Sequence, residues 1–222
     1  MSDDPKGQNH TVEEVNTIVH PETKSMIDRY VFVSNFCKGK TVLDCPTGYG
    51  FGAAIVKALG AESVTGIDID LEALSYARKQ YPYVFFFNKD LTVDWSGDVT
   101  VNGVFDTVLC VEGFEHVERA NVQVLLQNLK HACKPGGTVI ITTPKRKDGQ
   151  SWVDYGLAHR YEYTASEFKE ELRVVFPEAS IVYYAGLQMF LRPFTQELSN
   201  FFNKDFLLDD KRCTLMLAVI QL

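Results

Sequence analysis

Thr41-Val-Leu-Asp44-Cys-Pro46-Thr-Gly48-Tyr-Gly50-Phe-Gly52 is the stretch that decides how this chain folds. A short apolar run ends in an acid and enters a glycine-rich turn, the pattern of a strand passing into a helix. Glycines let a backbone come close to a ligand, and the helix that follows offers free N–H groups to it. Asp44 on the strand side suits a cationic ligand group such as an ammonium better than the pyrophosphate of a dinucleotide.

Outward from this turn, strand and helix patterns alternate. The strand over 41–45 is followed by a helix near 52–59, a strand over 63–67, and a helix that Asp70 can cap, with Leu71, Leu74 and Ala77 on its apolar side. Further strands are expected over 84–87 and 105–110, then a helix over about 117–133. The turn Lys134-Pro-Gly-Gly137 leads to a strand over 138–142. Before the first strand, Pro21 and Thr23 mark a helix start, and Met26, Tyr30, Val31 and Val33 recur at near-helical spacing. Thr164-Ala-Ser-Glu167 reads as a capping box for a helix to Leu172. Two last strands, over 179–184 and 213–222, flank a long aromatic connection. The whole predicts an α/β fold: one Rossmann-like, doubly wound sheet, mostly parallel with an antiparallel final strand, and helices on both faces. Residues 1–22 read as a flexible arm and 23–222 as one domain. Its cofactor half is 41–145, and 146–222 supplies substrate-side loops and the antiparallel strands.

Composition excludes several classes. The chain has 222 residues, a net charge of −7, 45% hydrophobic and 23% charged content. No apolar run approaches the roughly 20 residues needed to span a bilayer, and the N-terminus lacks a basic and apolar leader pattern. A cytoplasmic location is the expectation, with no membrane partner. The acidic balance disfavours a sequence-independent grip on nucleic acid, which needs Lys and Arg on phosphates. Cys37, Cys45, Cys110, Cys133 and Cys213 form no C-x-x-C pair and read as reduced core thiols.

Two cofactor readings compete for the turn, because Gly48-Tyr-Gly50-Phe-Gly-Ala53 also fits the dinucleotide fingerprint G-x-G-x-x-G/A. Both expect an acid after the second strand to hold ribose hydroxyls, and Asp68 lies 20 residues beyond Gly48. The discriminating residues are Asp44, Asp90 in Asn88-Lys-Asp90-Leu91, and the acidic segment after the fourth strand. On this ordered series the chain resembles the class I S-adenosylmethionine-dependent methyltransferases, from about Tyr30 to Leu172. The resemblance implies that Gly48 and Gly50 lie under the amino-acid part of S-adenosylmethionine. Asp68 would hold the ribose with Ile69 against the adenine, and Asp90 with Leu91 would meet the adenine edge. Pro46 stands where the family pattern usually has glycine, removing an N–H next to the cofactor's carboxylate. The turn is expected to survive it.

Beside this site, Glu112-Gly-Phe-Glu115-His116 would place its three polar side chains on one face if helical. His159, in the loop after the fifth strand, would come to the same end of the sheet. Two carboxylates and two imidazoles suit Mg²⁺, Mn²⁺ or a similar divalent ion with open positions for substrate oxygens. The segment resembles that of the metal-dependent small-RNA 2′-O-methyltransferases and the ubiquinone-biosynthesis O-methyltransferases, both of which act on adjacent oxygens. It also has a metal-free reading, since acids at a helix N-terminus are favoured by the dipole alone. In that case His116 or His159 would serve as general base. His10, His20 and His131 read as solvated or structural.

The leading expectation is O-methyl transfer to a vicinal diol of a sugar, glycan or small polyol, assisted by a divalent metal. A catechol or quinone precursor and an RNA terminal 2′-hydroxyl are the neighbouring alternatives. An NAD-dependent oxidoreductase and a catalytically silent methyltransferase-fold partner are those of another class. Trp152, Tyr155, Tyr161, Tyr163, Met189, Phe190 and Phe194 supply surface for a sugar face or a flat ring, and core packing explains some of them equally well. The connection 186–211, with Phe201, Phe202 and Phe206, reads as a lid, a homodimer contact or a cover on the sheet.

Overall fold

Residues buried on both faces form the centre of the structure, a computed structural model that describes residues 21–146, 159–186, 202–203 and 214–222. Strand β4 (Phe105–Val111) shows why. Val108 and Cys110 point into one apolar cluster while Leu109 and Val111 point into another, so the strand reads as a continuous apolar run. Around it lie β1 (Thr41–Asp44), β2 (Ser63–Asp68), β3 (Phe85–Asn88) and β5 (Cys133–Pro144), all parallel. Beyond β5 come β6 (Ser180–Gly186), the two-residue β7 (Phe202–Asn203) and β8 (Leu215–Gln221). The sheet order is β3-β2-β1-β4-β5-β8-β6-β7, with β8 antiparallel to both β5 and β6.

Helices cover both faces, as the alternating pattern requires. Helix α1 (Pro21–Ser34), α2 (Phe51–Ala58) and α3 (Leu71–Gln80) close one apolar layer, with Tyr30, Val56 and Leu74 against Val42, Val64 and Leu109. Helices α4 (Val122–Ala132) and α5 (Ala165–Val175) close the other, with Leu125, Leu129, Phe168 and Leu172 against Val108, Val139 and Met216. The cap assignments hold. Asp70 accepts from the N–H groups of Glu72 and Ala73, and Thr164 with Glu167 forms the reciprocal capping box of α5. Cys37, Cys45, Cys110 and Cys133 are buried free thiols.

Two local expectations need correction. The helix predicted over 117–133 starts only at Val122, preceded by two 3₁₀ turns, Phe114–His116 and Arg119–Asn121. Between them Val117 is extended and buried in the α4–α5 core, which diverts the chain before α4 can begin. The segment 134–137 is no separate turn. It enters β5 as an irregular lead-in, where Gly136 has φ 76° and the β4–β5 register shifts between Phe105 and Thr107. Residues 1–20 of the expected arm 1–22, residues Trp152, Tyr155, Met189, Phe190, Phe194, Phe201, Phe206 and Cys213, and nearly all of the 186–211 connection lie outside the described residues, while Pro21 and Glu22 already belong to α1.

The loop from β3 to β4 depends on one buried amide. Asn128 of α4 accepts from Trp95 N at 2.9 Å and donates to the carbonyls of Leu91 and Val93 at 2.9 and 2.8 Å. Trp95 Nε1 in turn donates to Asp90 O at 2.9 Å, so α4 shapes the segment that carries Asp90 and Leu91. Replacing Asn128 by Ala strands these buried backbone groups. It should cost about 2–4 kcal/mol in urea unfolding, since each unsatisfied group costs about 1–3 kcal/mol.

Candidate active site

The turn after β1 forms as expected in spite of Pro46. Thr47 N donates to Ile67 O at 2.9 Å and Gly50 N to Thr47 O at 3.0 Å. Pro46 follows a cis peptide bond and packs on Gly113, where an added Cβ would lie only 2.1 Å from Pro46 Cδ. The two glycines divide their roles. Gly48, at φ 52°, donates its N–H to Asp68 Oδ2 at 2.7 Å and has open space where a side chain would stand. Gly50, at φ 80°, is pressed against Phe86 and Ala77, with an added Cβ 2.7 and 2.8 Å away. Gly50 is therefore an obligate packing position, and Gly48 is the glycine with space for a ligand beside it.

Asp44 corrects another expectation. Its carboxylate is fully buried beneath the turn, where Oδ1 accepts from Tyr30 OH at 3.1 Å and Oδ2 from Thr47 Oγ1 at 2.8 Å. In this arrangement neither oxygen is open to a ligand ammonium. Burial pushes the carboxyl up to about 7, with Asp68 adding to the rise and the two hydroxyls opposing it. Asp68 is better exposed to a ligand. Each of its oxygens accepts one backbone N–H, from Gly48 at 2.7 Å and Asp70 at 3.0 Å, and a carboxylate has further lone pairs for two hydroxyls. Ile69 beside it is 64% exposed, an apolar platform at the strand end. Asp90 Oδ1 is taken by Thr92 N and Oγ1, both at 2.7 Å, and Leu91 is nearly buried.

The acidic segment after β4 divides in two. Glu112 has φ 51°, so the chain turns left-handed there and no helix carries it onto one face with Glu115 and His116. Its Oε1 accepts from Thr142 Oγ1 at 2.7 Å, and Oε2 lies 3.6 Å from the Arg29 guanidinium. Glu115, His116 and His159 do converge, each offering a ligand atom within 4.8 Å of the others. Glu112 is not part of that set. Thr143 Oγ1 donates to Glu115 Oε2 at 3.0 Å, and the two imidazole rings meet edge to face with centroids 5.2 Å apart. Glu115 is 1% exposed, and burial with the nearby Glu112 charge pushes its carboxyl well above the usual range, Arg29 opposing.

Two expected ligand-facing aromatics are scaffold instead. Tyr163 is fully buried against Phe114 at 4.7 Å. The Tyr161 hydroxyl accepts from Arg119 and Arg146 at 2.8 and 3.1 Å and donates to Glu167 at 2.6 Å. Arg29 is the functional candidate that sequence reasoning missed. It is 3% exposed with its Nε unpartnered among the described residues, yet in sequence it is one arginine in an unremarkable helix.

Residues 42–137 match the family described as a methyltransferase domain. The sequence is 32% identical over 121 residues to a ubiquinone biosynthesis O-methyltransferase of Pectobacterium atrosepticum, covering 52% of this chain and 46% of that one. A protein of the same name from Paraburkholderia xenovorans is 29% identical over 150 residues, covering 64% and 57%. The fold aligns with an S-adenosylmethionine-dependent methyltransferase of Mesorhizobium loti at a TM-score of 0.63 and 16% identity, covering 89% of this chain and 98% of that one. The match places a methyltransferase domain over residues 42–137, on a fold shared with solved S-adenosylmethionine-dependent methyltransferases. The chain spans about half the length of the curated relatives it matches. The domain match favours S-adenosylmethionine over a dinucleotide for the glycine turn. The observed turn fits that group: open space above Gly48, spare lone pairs on Asp68 and an exposed Ile69 stand together. Among the described residues no helix is long and apolar enough to cross a membrane.

The raised Asp44 carboxyl gives a signed expectation. It is neutral below about 7, and a cationic ligand favours its anion, so binding in that range releases a proton. Affinity for S-adenosylmethionine should therefore climb several-fold between about pH 6 and 8 and then level off. Calorimetry across this range should show the rise in the native protein and most of it lost in Asp44→Asn.

Proposed function

We propose that this methyltransferase transfers a methyl group to one hydroxyl of a vicinal diol on a sugar, glycan or small polyol, in the cytoplasm, with a divalent ion at Glu115, His116 and His159. The observation that carries the metal reading is the buried Glu115 carboxyl, which faces two imidazoles. A carboxylate so placed is expensive to ionise unless a cation shares the site. The names of the curated relatives support transfer to oxygen. They also favour a second acceptor class, a catechol-type quinone precursor, which presents the same pair of adjacent oxygens.

The cofactor supplies an electrophilic methyl on a sulfonium, which becomes a neutral thioether. Asp68 would hold the ribose hydroxyls, Ile69 would lie against the adenine, and Asp90 with Leu91 would border its edge. The open face of Gly48 would admit the amino-acid end. Arg29, with its buried Nε unpartnered among the described residues, would offer charge to the cofactor's carboxylate in place of the N–H that Pro46 lacks. Asp44 favours the cationic end from beneath the turn.

At the acceptor, Glu115, His116 and His159 would hold the ion, and the hydroxyl proton would pass to solvent; without an ion, His116 or His159 would take that proton instead. A divalent ion there would supply Lewis-acid polarisation, making an alcohol oxygen a competent nucleophile near neutral pH. Placement of that oxygen against the methyl group contributes the rest through alignment.

Methyl transfer should be measured with sugars, polyols and catechols, with and without chelator and with Mn²⁺ or Mg²⁺ restored. Chelator should abolish turnover and metal should restore it. Glu115→Ala and His159→Ala should lose turnover while S-adenosylhomocysteine affinity stays within a few-fold; full activity in either variant would overturn the scheme. Asp68→Ala should instead weaken cofactor binding about 10–100-fold, the worth of charge-assisted hydrogen bonds.

A further inference from the structure

His159 reaches the Glu115 cluster on a segment that is anchored twice. Arg160 N and Tyr161 N donate to Glu115 O at 2.7 and 3.2 Å, and Arg146 N donates to Tyr163 O at 2.9 Å. These bonds fix the backbone of the segment and leave the imidazole free to rotate about its own side-chain torsions. The remaining constraint comes from Glu162. Its Oε1 lies 2.7 Å from His159 Nδ1, with the two side chains 0% and 9% exposed.

A carboxylate on Nδ1 fixes two things at once. It sets the ring plane, and it keeps the proton of the neutral ring on Nδ1, which makes Nε2 the nitrogen with a lone pair. Only a nitrogen with a free lone pair can ligate a metal or accept a proton. Glu162 is itself outside the group of converging ligand atoms, so its effect on the cluster passes through His159. Burying its carboxyl is costly without such a hydrogen bond, and an apolar residue would fill the same place more cheaply.

We infer that Glu162 is a positioning residue, which orients His159 and holds its Nδ1–H tautomer so that Nε2 faces the metal and the acceptor. The inference rests on the proposed role of His159 in the acceptor site.

The test reads the tautomer directly, by ¹⁵N NMR of the histidine side chains in the full, metal-free chain at a pH where His159 is neutral, with His159→Ala used for assignment. The native ring should be Nδ1–H. In Glu162→Ala it should move toward the Nε2–H form that unconstrained imidazole prefers. Mn²⁺ affinity and kcat should fall about 10–100-fold, with KM for S-adenosylmethionine unchanged. Glu162→Gln retains an acceptor and should restore most of the loss. In a His159→Ala background, Glu162→Ala should have no further effect on Mn²⁺ affinity. If the alanine variant does not fold, Glu162→Met, similar in shape and without an acceptor, reads the same quantities. An unchanged tautomer in a folded variant, or an added loss in the double variant, overturns the inference. A tautomer that shifts in a native background with no Mn²⁺ binding and no methyl transfer leaves the orienting contact standing and removes the O-methyltransferase reading, so the two failures are distinguishable.

Discussion

The hydrogen bond from Gly48 N–H to the Asp68 carboxylate is the interaction on which the cofactor end of the molecule depends. It ties the turn after β1 to the end of β2, so two parallel strands present one shaped edge instead of two independent loops. The bond is short because the backbone can come close, and it can come close because Gly50 and Gly66 leave room for Phe86 beneath the turn. A side chain at either glycine would push into that ring. The same carboxylate also accepts from Asp70 N–H, which joins the start of α3 to the same point. Turn, strand-end acid and helix start are thus one hydrogen-bonded unit.

Carboxyl groups are gathered at this end of the sheet. Asp44, Asp68 and Glu115 are all buried, and burial pushes each of their carboxyls upward. Arg29 lies nearby, 3.6 Å from Glu112. A preformed excess of acid suits a site that receives a cationic cofactor, and a divalent ion beside it would meet the same need at Glu115. These groups favour what binds more than they favour the methyl step itself, since transfer discharges the sulfonium. Under the proposed function the chemical work would then fall to the imidazoles and to the alignment of the acceptor.

Much of the fold was legible because it is written in local patterns. Apolar runs alternating with capped helices announced the doubly wound sheet, and Asp70 and the Thr164–Glu167 box marked their helix starts correctly. Failures occurred where a distant contact overrode the local pattern. Val117 is drawn into the α4–α5 core, so the helix begins late. Glu112 has spacing suited to one helical face, but its backbone turns left-handed and its carboxylate goes to Thr142 and Arg29. Tyr161 and Tyr163 looked like ligand surface and are held by arginines and by core aromatics.

The sequence by itself determined the order of strands and helices, the glycine turn and the acids at the strand ends. Each is set by residues within a few positions of one another, through side-chain period, capping and backbone freedom. Tertiary structure alone decided which of those acids faces a ligand. Asp44 is sealed by Tyr30 from α1, Glu115 meets His159 across the loop that follows β5, and Glu162 takes the second nitrogen of that ring. The meetings of Tyr30 with Asp44 and of His159 with Glu115 depend on sheet register and helix packing, which bring together residues distant in the chain.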